Sequence, residues 1–234
     1  MKYDILLFDL DDTLFDFRLS EMHALTKTFQ AFGLPNGFNE YITGYKEISH
    51  VLWNDLEQGN ITLAKLRVER FKRLFLQHEL TIDAAIFGEA YLENLGQEIH
   101  IIDGVQDMMA GLAGYRLALL TNGFKDVQHA RMNGSIFAQS FEAILTSEEA
   151  GSQKPHVDIF NYTFDKLQIS DKSRVLMIGD SLTSDIQGGN NYGIDTCWFN
   201  PQMKNNETAI QPTYEIHNWA EFIPNVLSVK SICL

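Results

Sequence analysis

The sequence predicts an α/β protein: a doubly wound parallel sheet interrupted by an inserted bundle of helices. Three observations predict it. Short, near-continuously apolar runs recur along the chain, as strands buried on both faces require. Helical patterns separate most of them, which is the alternation of a doubly wound sheet. Residues 18 to about 96 break that alternation, with apolar residues at helical spacing and no convincing strand.

In chain order, "YDILLF" (3–8) is the first strand. Four helical segments follow, with breaks at "GLPNG" (33–37), at "QGN" (58–60) and near Thr81. Thr62 and Thr81 have the side chain and the position of N-caps. The alternation then resumes with a helix over 105–113 and a strand "YRLALL" over 115–120. A helix over 126–135 leads to a strand "EAIL" over 142–145, and one over 156–167 leads to "RVLMIG" over 174–179. A last helix, 184–193, precedes the strand "DTCWF" (195–199). The domain division that follows is an α/β core from residues 1–16 and 97–234, with a helical domain from 17–96.

The chain has 234 residues, 45% hydrophobic and 21% charged, enough to bury a sizeable core without staples. Its net charge of −13 repels nucleic-acid backbones, so polymeric nucleic acid is not an expected partner. The main basic cluster, "KLRVERFKR" (65–73), is short and reads as a solvated face, Arg70 included, with contact to a substrate as the alternative for Arg70. Two cysteines, Cys197 and Cys233, make neither a disulfide framework nor a zinc pattern. Nor do His23, His50 and His78 show ligand spacing. No signal peptide or membrane-spanning run is evident, so a cytoplasmic protein, monomer or small homo-oligomer, is expected.

Ligands of open α/β sheets bind at the carboxyl ends of the strands. After the first strand come Asp9, Leu10, Asp11, Asp12 and Thr13; after the second, Thr121, Asn122 and Gly123. The fourth is followed by Asp180 and, past Ser181 to Ser184, by Asp185; the loop after the third leads to Lys154 and Pro155. Acids, a hydroxyl, amides and one lysine thus converge on one edge. Asp9 and Asp11 are two apart and point the same way in extended chain. With Asp180 they make an oxygen-rich pocket suited to a hard cation such as Mg²⁺, which offsets their repulsion. Crowding splits carboxylate pKa values, so one acid can act as nucleophile and another as proton donor. Thr121 and the amides of Asn122 and Gly123 could hold phosphate oxygens, and Lys154 could balance their charge.

Asp-Leu-Asp-Asp-Thr-Leu, Thr-Asn-Gly, Lys-Pro and Gly-Asp-Ser-Leu-Thr-Ser-Asp, in this order, resemble the haloacid-dehalogenase superfamily over essentially the whole chain. The resemblance implies a Rossmann-like core and makes the insert a C1-type cap. It implies a Mg²⁺-dependent phosphatase acting on a small phosphorylated metabolite. Asp9 would form an aspartyl-phosphate and Asp11 would serve as acid and then base. Mg²⁺ would lie between Asp9, the carbonyl of Asp11 and Asp180. Thr121 and Lys154 would bind the phosphoryl group, and Asp185 would orient Lys154 or a metal-bound water. The residue after the second acid is often Gly in relatives; here it is Asp12, expected to point away from the metal. The opening motif and "GDSLTSDIQGG" look most like pyrimidine 5′-nucleotidases, including house-cleaning enzymes for non-canonical nucleotides. A sugar-phosphate phosphatase, a phosphomutase, a phosphonatase using a cap lysine, a 2-haloacid dehalogenase and a non-catalytic metal- or phosphate-binding module are the alternatives. Taken singly, each motif has a bland reading: an acidic turn, a Thr-Asn-Gly turn, a lysine before a proline-started helix, an acid at a helix start.

Overall fold

The computed structural model describes residues 2–228; the expectation for Cys233 lies outside them. Six strands, β1 (Ile5–Phe8), β2 (Arg116–Thr121), β3 (Ala143–Thr146), β4 (Val175–Gly179), β5 (Asp195–Phe199) and β6 (Tyr214–Ile216), form one sheet in the order β3-β2-β1-β4-β5-β6. Every pairing is parallel. The sheet is therefore Rossmann-like, and its strand order reverses direction between β1 and β4. The helices are α1 (Phe17–Ala31), α2 (Gly37–Glu57), α3 (Leu63–Gln77), α4 (Ala84–Gly96), α5 (Val105–Ala110), α6 (Lys125–Gly134), α7 (Ser147–Ala150), α8 (Val157–Leu167) and α9 (Gln187–Tyr192).

The chain divides into two compact units. The first comprises Met1–Asp16, Ile101–Lys125 and Ile136–Leu234 and contains the sheet. All four residues of β1 are buried, and the pleat splits them between two faces. Ile5 and Leu7 join Ala118, Leu120, Val175 and Met177 against Ile159, Phe160, Phe164 and Leu167 of α8. On the other face, Phe8 packs on Phe141, Trp219 and Phe222, with ring centroids 6.0–6.2 Å apart. Burial of one such ring contributes about 1.5–3 kcal/mol. The register of β1 is therefore strongly fixed, because a slip of one residue would exchange the two faces.

The second unit comprises Phe17–His100 and Asp126–Ser135, so a segment distant in sequence packs with α1 to α4. Its core is aromatic: Phe87 lies 4.8–5.1 Å from Phe29, Phe32, Phe71 and Phe75. Arg70 does not lie on a solvated face. It is 2% exposed, with its guanidinium 4.7 Å from the centre of Tyr91 and 5.1 Å from that of Phe71. The rings supply the electrostatic partner that the sequence does not advertise. Thr62 caps α3 by accepting from the Lys65 amide at 3.3 Å. Thr81 is not the cap of α4; Asp83 is, accepting from the amides of Ala85 and Ile86 at 2.8 and 3.1 Å. Thr81 lies too far before the first helical turn to reach those amides. Among the described residues, no helix is long and apolar enough to cross a membrane.

Candidate active site

The site lies in the first unit, at the carboxyl ends of β1 and β4, where neighbouring connections leave in opposite directions and open a crevice. Asp9 follows β1 directly, and its amide extends the ladder to the carbonyl of Ile178 at 2.8 Å. Lys154 is 1% exposed. Its ammonium spends all three protons: to Asp9 Oδ1 at 2.7 Å, to Asp185 Oδ1 at 2.7 Å and to the Leu120 carbonyl at 2.6 Å. Asp185 is held from its other side, where Oδ2 accepts from the Ser181 amide at 3.1 Å. This turn is tight: a Cβ at Gly179 would fall 2.1 Å from Asp185 Oδ2, so any side chain there must displace Asp185.

Asn122 fixes the lysine's backbone. Its Nδ2 donates to the Lys154 carbonyl and its Oδ1 accepts from the Lys154 amide, both at 2.9 Å. The Nδ2 also reaches Ser184 Oγ at 3.3 Å. Thr121, 1% exposed, accepts from the Gly123 amide on its Oγ1 at 3.0 Å. The side chain of Asn122 and the amide of Gly123 are thus engaged inside the protein, the former as a clamp on Lys154.

The ligating oxygens of Asp9, Asp180 and Asp185 lie within 4.8 Å of one another. Burial, then Asp185, Asp9 and Asp12 in turn, hold Asp180 well above the usual carboxylate range, with Lys154 pulling the other way. Burial likewise raises Asp9 despite the opposing pull of Lys154, and Asp185 and Asp11 add to the rise. Burial alone would lower Lys154; the carboxylates of Asp185 and Asp9 outweigh it and raise it, so it stays protonated. One ammonium among these carboxylates leaves negative charge in excess. An all-oxygen donor set carrying that excess fits a hard divalent cation.

The structure brings Asp9, Lys154, Asp180 and Asp185 together and sets Thr121 and Asn122 beside them. The side chain of Asp11 is outside the three-carboxylate cluster, although its charge acts on Asp9. Asp12 has a left-handed backbone, φ 56°, where glycine is the easy occupant. Its charge acts on Asp180, so it is not remote from the acids. Sequence reasoning missed Trp198, whose Nε1 donates to the Asp180 carbonyl at 2.8 Å. Within "TCWF" it reads only as a buried strand residue, which it also is.

The profile of the haloacid dehalogenase-like hydrolases matches residues 6–199. The chain belongs to that family. This hydrolase is 36% identical over 231 residues to YfnB of Bacillus subtilis (strain 168), named for the same family, covering 98% of this chain and 97% of that one. It is 36% identical over 225 residues to the pyrimidine 5′-nucleotidase PynA of Streptococcus pneumoniae, covering 95% and 94%. With the pyrimidine 5′-nucleotidase YjjG of Escherichia coli it shares 30% over 222 residues, covering 94% and 96%. A crystal structure of YfnB bound to magnesium superposes with a TM-score of 0.88 at 37% identity, covering 96% of this chain and 98% of that one.

Proposed function

We propose that this hydrolase releases phosphate from small phosphomonoesters, with pyrimidine nucleoside 5′-monophosphates as its substrates and Mg²⁺ as its cofactor. The observation that carries the reading is the buried Asp9–Lys154–Asp185 array beside Asp180 at the strand-order switch. The names of PynA and YjjG, matched over nearly their whole lengths, support the substrate class. Magnesium in the YfnB structure supports the cofactor. Asp9, Asp180 and the carbonyl of Asp11 would hold Mg²⁺, which neutralises charge on the phosphoryl oxygens when bound.

The residues then have distinct tasks. Lys154 holds Asp9 by one oxygen, which fixes the carboxylate and aims the other at phosphorus. Attack by Asp9 forms a carboxylate–phosphorus bond and breaks the ester P–O bond; Asp11 gives its proton to the leaving oxygen. Asp11 next takes a proton from water as the water oxygen attacks phosphorus. The acyl-phosphate bond breaks, returning Asp9 and inorganic phosphate. Thr121 binds a phosphoryl oxygen by donating its hydroxyl proton, since that oxygen can only accept. Lys154 shares its charge with the phosphoryl group, and Asp185 keeps it in place.

Phosphate release from CMP, UMP, dUMP and dTMP, set beside ribose 5-phosphate and glucose 6-phosphate with and without MgCl₂, tests this. The pyrimidine nucleotides should give the highest kcat/KM, and only with the cation. Higher values for the sugar phosphates would move the substrate class. No release from any ester would overturn the phosphatase reading.

A further inference from the structure

We propose that His23, Glu98 and His100 form a second metal site, for a zinc-class transition dication, sharing no residue with the acid cluster. It lies within the second unit, between α1 and the segment that follows α4. His23 Nδ1 lies 3.2 Å and His100 Nε2 2.9 Å from the same oxygen, Glu98 Oε2. The three donor atoms lie within 4.8 Å of one another. Tetrahedral zinc with bonds of about 2.0–2.1 Å needs its donors about 3.3 Å apart. Two edges of that triangle are close to this length, so a small separation of the rings from Oε2 admits the ion.

The support around the carboxylate resembles the outer partners that hold a metal ligand in place. Glu98 is 6% exposed. Its Oε1 accepts from Lys27 Nζ at 2.5 Å, and its backbone carbonyl accepts from Arg131 Nε at 3.0 Å. Lys27 already supplies the counter-charge that Glu98 needs. Two further imidazoles on the other oxygen exceed charge pairing, but they supply the nitrogen–nitrogen–oxygen donor set that zinc prefers over magnesium. The two rings meet edge to face at 4.8 Å, so both can turn a lone pair to one point. The side chains of His23 and His100 are 42% and 25% exposed, which leaves an entry path and a position for water. On binding, a proton on His23 Nδ1 or His100 Nε2 moves to the other ring nitrogen or to solvent, because the metal takes that lone pair. No motif spacing announces the site: the fold, not the sequence, puts His23 beside His100.

Zn²⁺ titration by calorimetry, in excess MgCl₂ to occupy the acid cluster, tests the proposal. Wild type should bind one equivalent of Zn²⁺ that His23→Gln and His100→Gln bind more than about tenfold more weakly. Circular dichroism checks that both variants fold. Independently of any variant, Co²⁺ added to wild type in excess Mg²⁺ should give the intense visible bands of a low-coordinate site with nitrogen ligands. Equal Zn²⁺ isotherms in wild type and both folded variants, or only the weak bands of octahedral oxygen-bound Co²⁺ in wild type, would overturn it.

Discussion

Lys154→Met is the sharpest probe of how the acids tolerate one another. Methionine nearly matches lysine in length and flexibility, so the cavity is small and the charge is the main loss. The structure gives the magnitude. Lys154 is 1% exposed and its ammonium pairs with two carboxylates at 2.7 Å each. Leaving a buried charge uncompensated costs about 3–5 kcal/mol. For a chain of this size that lowers Tm by about 6–20 °C. The pH dependence has a fixed sign. Without the ammonium, the one group that pulls it down, the folded-state value of buried Asp9 rises further above its unfolded value of about 3.9. The folded variant then binds more protons than its unfolded chain between those values, so its stability falls as pH rises through that window. Thermal melts of wild type and variant should therefore diverge towards pH 8 and converge towards pH 5. Adding MgCl₂ at pH 8 should narrow the gap, because a cation replaces the lost charge. A deficit below about 1 kcal/mol that ignores both pH and Mg²⁺ would refute the reasoning.

Three further substitutions separate other parts of the structure. Gly179→Ala drives a Cβ to 2.1 Å from Asp185 Oδ2, so it should displace Asp185, loosen Lys154 and lower kcat about 10²-fold; unchanged steady-state kinetics would show that the Asp185 position does not matter. Asp195 is raised by burial but lowered more by Lys2 and by the Tyr3 hydroxyl, so its pairing stabilises the fold above the ordinary value of 3.8 and is lost as pH falls through the lower folded value. Asp195→Asn should accordingly be less stable than wild type at pH 7 and should approach it in melts near pH 3. Glu79 ends α3 with a left-handed backbone, φ 54°, while the Leu80 amide closes on the Phe75 carbonyl at 2.9 Å. Glu79→Gly should raise stability by about 0.5–1 kcal/mol in denaturant titration, as glycine adopts that conformation without strain; a loss would contradict the strain.

The strands of the core were legible because burial on both faces writes an unbroken apolar run. β6 was not: "YEI" is three residues long at the edge of the sheet, with Glu215 exposed. The acids and lysine of the site were legible because strand ends deliver them in a fixed order. What no spacing could show were contacts made only by folding. Asn122 clamps a lysine backbone from another loop, Trp198 holds the Asp180 carbonyl, and Arg70 enters an aromatic core although it sits within the main basic cluster of the sequence. The placement of 126–135 in the second unit belongs with these, since its helical pattern is the same whichever core it packs against.

Phosphate release by Asp9→Asn bears most directly on the role of the acids. Asparagine keeps the shape and loses the nucleophile, so folded variant in saturating Mg²⁺ should hydrolyse p-nitrophenyl phosphate and UMP more than about 10³-fold more slowly than wild type. Equal rates for the two proteins would contradict attack by Asp9.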